Sequence, residues 1–192
     1  CSLVFFKILN YFVLVTSILT TLTYASEDEW NIHDFGNYVV TSVPGEISHG
    51  DKMRFVLEKK DCNKIGVMFS FLTYKNSKVP ELQGRKVPIK INGSETLNVA
   101  DVLLVKPAFS NMAFFVMFAA PEYYPLNKFT EGIMKDYKKD KVFSIMLAKS
   151  DDFDPEEYFD LFYNNWKIDK LPEKITEAYQ MCTGKPDEVL QG

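Results

Sequence analysis

The chain has 192 residues, 46% of them hydrophobic and 15% aromatic, with 22 Lys and Arg against 26 Asp and Glu for a net charge of −4. That length holds one domain with a core able to fold without many cross-links. The mildly acidic balance excludes a dedicated nucleic-acid binder, which needs a basic stripe to displace counterions, and a domain that coats anionic lipid.

In chain order, the first element is not part of the domain. Leu3 to Ala25 is apolar with Lys7 as its one charge, and it ends in Thr23-Tyr24-Ala25 ahead of the acidic run Ser26-Glu27-Asp28-Glu29. A positive start, an apolar stretch and small residues before a cut site read as a secretory signal peptide over residues 1–25. The alternative is an uncleaved anchor, since roughly 20 apolar residues span a bilayer. Thr16, Ser17, Thr20, Thr21 and Thr23 dilute the hydrophobicity, and Ala25 with Thr23 fits a peptidase, so cleavage is the preferred reading. It leaves 167 residues at a net charge of −5, because Lys7 is the only charge removed. The protein is then expected to be periplasmic or secreted. A retained anchor would instead give a single-pass protein with an extracytoplasmic domain, touching membrane only through that segment.

Residues 26–184 read as a single globular domain and 185–192 as a flexible tail. Ser26 to Gly36 is a lead-in expected to dock by Trp30 and Phe35. Tyr38 to Val43 is β-branched and stops at Pro44-Gly45, and Met53 to Lys59 alternates as a half-buried strand does. Asp61 to Lys64 reads as a polar turn. Ile65 to Tyr74 is a strand apolar on both faces, hence central, and residues 75–86 read as a loop. Val87 to Ile91 and Thr96 to Val105 flank Asn92-Gly93, a favoured hairpin dipeptide that outweighs the glycosylation reading of Asn92-Gly93-Ser94. Pro88 lacks an amide hydrogen and is expected at a strand edge or start. Phe109 to Phe118, Lys141 to Ala148 and Tyr158 to Tyr163 complete the expected strands.

Two helices are expected. Leu126 to Lys138 places Leu126, Phe129, Ile133 and Tyr137 at helical spacing and gathers lysines at its end, where the macrodipole favours them. The second runs from Lys170 or Leu171 to Cys182, with Asp169 as N-cap, Pro172 in the first turn, and Gly184 and Pro186 as the stop. The fold class is α+β: a mainly antiparallel sheet or sandwich of six to eight strands with two short helices, the second at the C-terminus.

With Cys1 given no role, Cys62 and Cys182 form an even pair in an exported chain and are expected to be disulfide-bonded. Their spacing excludes a CxxC redox pair or a zinc knuckle. In layout, a leader, a tryptophan soon after the cut, strands and a last helix ending in cysteine, the chain resembles small exported bacterial β-domains of the invasion-associated type. Trp30 and Cys182 carry that resemblance, the family's further cysteines are missing, and it implies no function here.

No motif of catalysis stands out. His33 and His49 are the only histidines, and no GxSxG elbow accompanies them. Gly45 to Lys52 approaches a phosphate-binding loop, but Asp51 occupies the lysine slot and would repel phosphate. Asp152, Asp154 and Glu156 have the spacing of calcium ligands, yet Glu157 and Tyr163 stand where a Gly and a Glu are required. Neither a cofactor nor a metal is therefore expected. The leading expectation is an exported, non-catalytic binding or accessory domain acting on an unknown protein or envelope component. The alternative is a hydrolase using His49 and Asp51, or the acidic loop around Asp152.

Overall fold

The computed structural model describes residues 30–48, 50–75, 77–139 and 141–185, with the backbone alone for 133–139. Among the described residues, ten strands form one antiparallel sheet: β1 (Asn31–Asp34), β2 (Tyr38–Pro44), β3 (Lys52–Glu58), β4 (Asp61–Thr73), β5 (Lys86–Ile91), β6 (Asn98–Ala108), β7 (Ala113–Ala119), β8 (Tyr124–Pro125), β9 (Val142–Leu147) and β10 (Tyr163–Lys167). Their order is β1-β2-β3-β4-β7-β6-β5-β9-β10, with β8 pairing β4 off that path. Two helices follow the expected spacings, α1 (Leu126–Lys139) and α2 (Leu171–Thr183). The fold is the anticipated α+β type; the strands beyond eight are short pieces such as β1 and β8.

The alternation of side chains explains where the core sits. On one face the ladder aligns Val43, Met53, Phe69, Phe118 and Val102, strand by strand from β2 to β6. The same face continues through Val87 and Ile89 on β5, Ile145 and Leu147 on β9, and Asn164 and Trp166 on β10. All of these are buried. Trp166 lies 6.5 Å from Phe69 and 6.3 Å from Phe71, although four strands separate β4 from β10 in the sheet. The sheet must therefore curl until its far strands face each other across the core. Each fully buried ring of this cluster stabilises the fold by about 1.5–3 kcal/mol relative to exposure.

The curl is latched where the β2–β3 connection meets β10. Glu46 N–H donates to the Asn165 carbonyl at 2.8 Å, and Ile47 N–H donates to Asn164 Oδ1 at 3.0 Å. The Asn164 amide nitrogen donates to Asp51 Oδ2 at 2.8 Å and to the Ser48 carbonyl at 3.2 Å. Gly45 is needed beside it, since a Cβ there would sit 2.3 Å from Asn164 Nδ2.

The helices pack against the curled sheet. α2 packs on β1 to β4, and its Leu171, Ile175, Ala178 and Cys182 join the main core. Cys182 is disulfide-bonded to Cys62 on β4, with the two Cα atoms 6.0 Å apart, as expected. Gly184 ends the helix at φ 69°, the left-handed cap that favours glycine. α1 reaches from β4 and β8 to β9. Among the described residues no helix is long and apolar enough to cross a membrane.

Several local expectations need correction. Trp30 docks as anticipated, stacked 6.2 Å from Phe55, but Phe35 is 64% exposed, and residues 31–34 form β1 rather than a lead-in. Asp61 to Lys64 belongs to β4; the reversal is made by Lys59 and Lys60, and the ladder absorbs it with a register shift at Leu57/Glu58. The 75–86 segment contains a 3₁₀ turn, Val79–Leu82, that buries Val79 and Leu82. The β5–β6 connection is longer than two residues, although Asn92 and Gly93 do turn with φ of 50° and 68°. Pro88 is not on an edge strand, because β5 lies between β6 and β9; its missing donor is tolerated because pairing with β9 begins only at Ile89. Phe109 is a hairpin tip, with Phe109, Ser110 and Asn111 all at positive φ, and β7 starts at Ala113. Tyr158 to Tyr163 is not a strand: a 3₁₀ turn at Pro155–Glu157 leads into irregular chain that buries Tyr158 and Phe159, and β10 begins at Tyr163. Lys170, not Asp169, is the N-cap of α2, and no side chain caps it.

Candidate functional site

The core face of the curled sheet is not filled at the end crossed by α1. There the inward positions of β3, β4, β5 and β9 present Phe55, Val67, Phe69, Ile89, Ile91 and Ile145 to a cavity of about 400 Å³. The ladder fixes this wall: Phe55 is opposite Val67, and Ile91 is opposite Ile145. Phe129 from the first turns of α1 also lines the cavity, 5.7 Å from the Phe55 ring and 6.4 Å from the Tyr124 ring. Phe143 completes the apolar lining, and Asn98, Val99, Pro121 and Glu122 form an exposed mouth. The floor is buried, with Phe55, Phe69, Ile89 and Ile145 all under 5% exposed. A cavity of this size, apolar inside with a few polar groups at its entrance, is what small-molecule binding sites share.

A second hollow, about 500 Å³, lies near Lys90, Glu95, Lys149 and Asp154. Its charges are already matched, Lys90 to Glu95 at 3.0 Å and Lys149 to Asp154, so it offers no unspent polar group at those positions.

The residues singled out from sequence lie elsewhere. Asp51 is buried, and both carboxylate oxygens are engaged: Oδ1 accepts from Leu72 N–H at 2.8 Å and Oδ2 from Asn164 Nδ2. Burial pushes its carboxyl up to about 6, against the two hydrogen bonds that favour the charged form. It works as part of the sheet latch. His49, its proposed partner, lies outside the described residues. His33 sits on exposed β1 with its ring 5.8 Å from Phe35.

Four carboxylates of the acidic loop are likewise engaged within the fold. Asp154 accepts from Glu156 N–H at 3.2 Å to cap the second 3₁₀ turn, and the Lys149 ammonium holds its carboxyl below the usual value. Asp160 accepts from Tyr74 N–H at 2.6 Å and from the Thr73 hydroxyl at 3.1 Å, pinning the loop to the end of β4. Asp152 accepts from the Ser150 hydroxyl at 2.8 Å, and Glu157 pairs with Lys78. Among the described residues no group of three or more His, Cys, Asp or Glu is placed to hold a metal ion. The leader and the tail beyond Lys185 lie outside the described residues.

Reading the sequence alone misses the cavity. Phe55, Ile89 and Ile145 have the pattern of ordinary core residues, and their shared role follows only from the curl.

Comparison with protein-family models, with curated proteins and with solved structures gives no match.

Proposed function

We propose that this is an exported, non-catalytic binding protein that takes an apolar small molecule, such as a component of the cell envelope, into the cavity beneath α1. One observation carries the reading: a 400 Å³ apolar cavity with a buried floor and an open mouth. Export is supported by the apolar segment from Leu3 to Ala25 and by the Cys62–Cys182 disulfide, a bond that persists in oxidising compartments.

The test is uptake of an apolar fluorescent probe, phenylnaphthylamine, by the purified protein. The probe is expected to brighten on binding, and Val67→Phe, which puts a ring into the empty space, is expected to abolish uptake while thermal unfolding stays cooperative. No uptake by the parent protein, or uptake unchanged in a folded Val67→Phe variant, would overturn the reading.

A further inference from the structure

We propose that the cavity selects amphiphiles with a cationic head: a single apolar chain ending in an ammonium group. This rests on the reading of the cavity as a ligand site and adds the chemistry of the head. No lysine, arginine or histidine is among the lining residues, and the one carboxylate there is Glu122, at the mouth. Glu122 is exposed and makes no ion pair among the described residues. Lys64, whose strand pairs with β8 at the same end, is already held by Asp61 at 3.0 Å. On the same lining, the Tyr124 and Phe129 rings lie 6.4 Å apart at 32°. Aromatic faces next to a carboxylate attract an ammonium group, through the ring quadrupole and through charge. A carboxylate head would instead be repelled by Glu122 and would find no cation among the lining residues.

Calorimetric titration of the purified protein with decylamine, decanol and decanoate at neutral pH separates the possibilities, because the three share one tail. Decylamine is expected to bind about fivefold tighter than decanol, the scale of one exposed charge pair, with decanoate weakest. The ratio of decylamine to decanol is expected to fall towards one in Glu122→Gln and to shrink as salt is raised. Decanol or decanoate matching decylamine would overturn the proposal, as would an ammonium preference that survives Glu122→Gln; in each case the cavity remains a binding site. Failure of all three ligands would instead remove the cavity reading itself.

Discussion

Asp51 shows how a residue that attracts attention as a catalyst can be a structural part. Its ordinary carboxyl value is 3.8, and burial raises it to about 6 in the fold, so the folded state holds the proton more tightly than the unfolded chain. The contribution of this group to stability is fully present below about 3.8 and is lost as pH rises towards 6. Above that window it is a constant penalty of about 3 kcal/mol, as an order of magnitude. The stability of the parent protein minus that of Asp51→Asn should therefore fall as pH is raised through this window in urea titrations, then level off. A difference that stays flat or rises there would contradict the assignment. Thr41 makes the opposite point about polar groups. Its side-chain oxygen is fully buried and has no hydrogen-bond partner among the described residues. Thr41→Val keeps the shape and removes that cost, so it is expected to stabilise by about 1 kcal/mol in the same titrations; a loss of stability would mean that the hydroxyl is satisfied.

At the scale of elements, the last helix depends on its crosslink. The Cys62–Cys182 bond spans a sequence separation of 120, a long loop whose closure in the unfolded chain costs much entropy. Reduction, or the Cys62→Ser/Cys182→Ser pair, should lower stability by about 2–4 kcal/mol, read as a shift in denaturation midpoint between oxidised and reduced protein. Equal midpoints would show that α2 is held by packing alone. This element was legible beforehand because Leu171, Ile175 and Ala178 repeat at helical spacing and Gly184 ends them. β2, β3 and β9 were legible for the same kind of reason, a clear run of β-branched or alternating residues. β10 was not: Tyr158 and Phe159 have strand-like composition, but they reach the core from an irregular segment pinned by Asp160 and Thr73, contacts between residues more than 80 positions apart. The reversal at Lys59-Lys60 carries no glycine, proline or asparagine, so the neighbouring Asp61-Cys62-Asn63-Lys64 looked the better turn.

For the whole molecule, the closure of the sheet governs both stability and the cavity. Across the seam Asn164 accepts from Ile47 N–H and donates to Asp51 and Ser48, and within its own strand it also accepts from Asn165 N–H. Asn164→Ala leaves buried groups unpaired and should cost about 3 kcal/mol. Gly45→Ala should be similarly costly in the parent, because its Cβ would collide with the Asn164 amide, yet cost under about 1 kcal/mol once Asn164 is alanine. Additive costs would contradict a shared latch. The fold class was readable from local patterns, whereas the cavity was not, because its wall is assembled from β3, β4, β5 and β9 by a curl that no single segment encodes.

The most direct test of the account is a methyl-resolved NMR titration of the purified protein with decylamine. The account predicts saturable shifts centred on the methyl groups of Val67, Ile89, Ile91 and Ile145, with those of Ile175 and Val79 unmoved. Shifts absent from the first set, or concentrated outside the cavity, would contradict it.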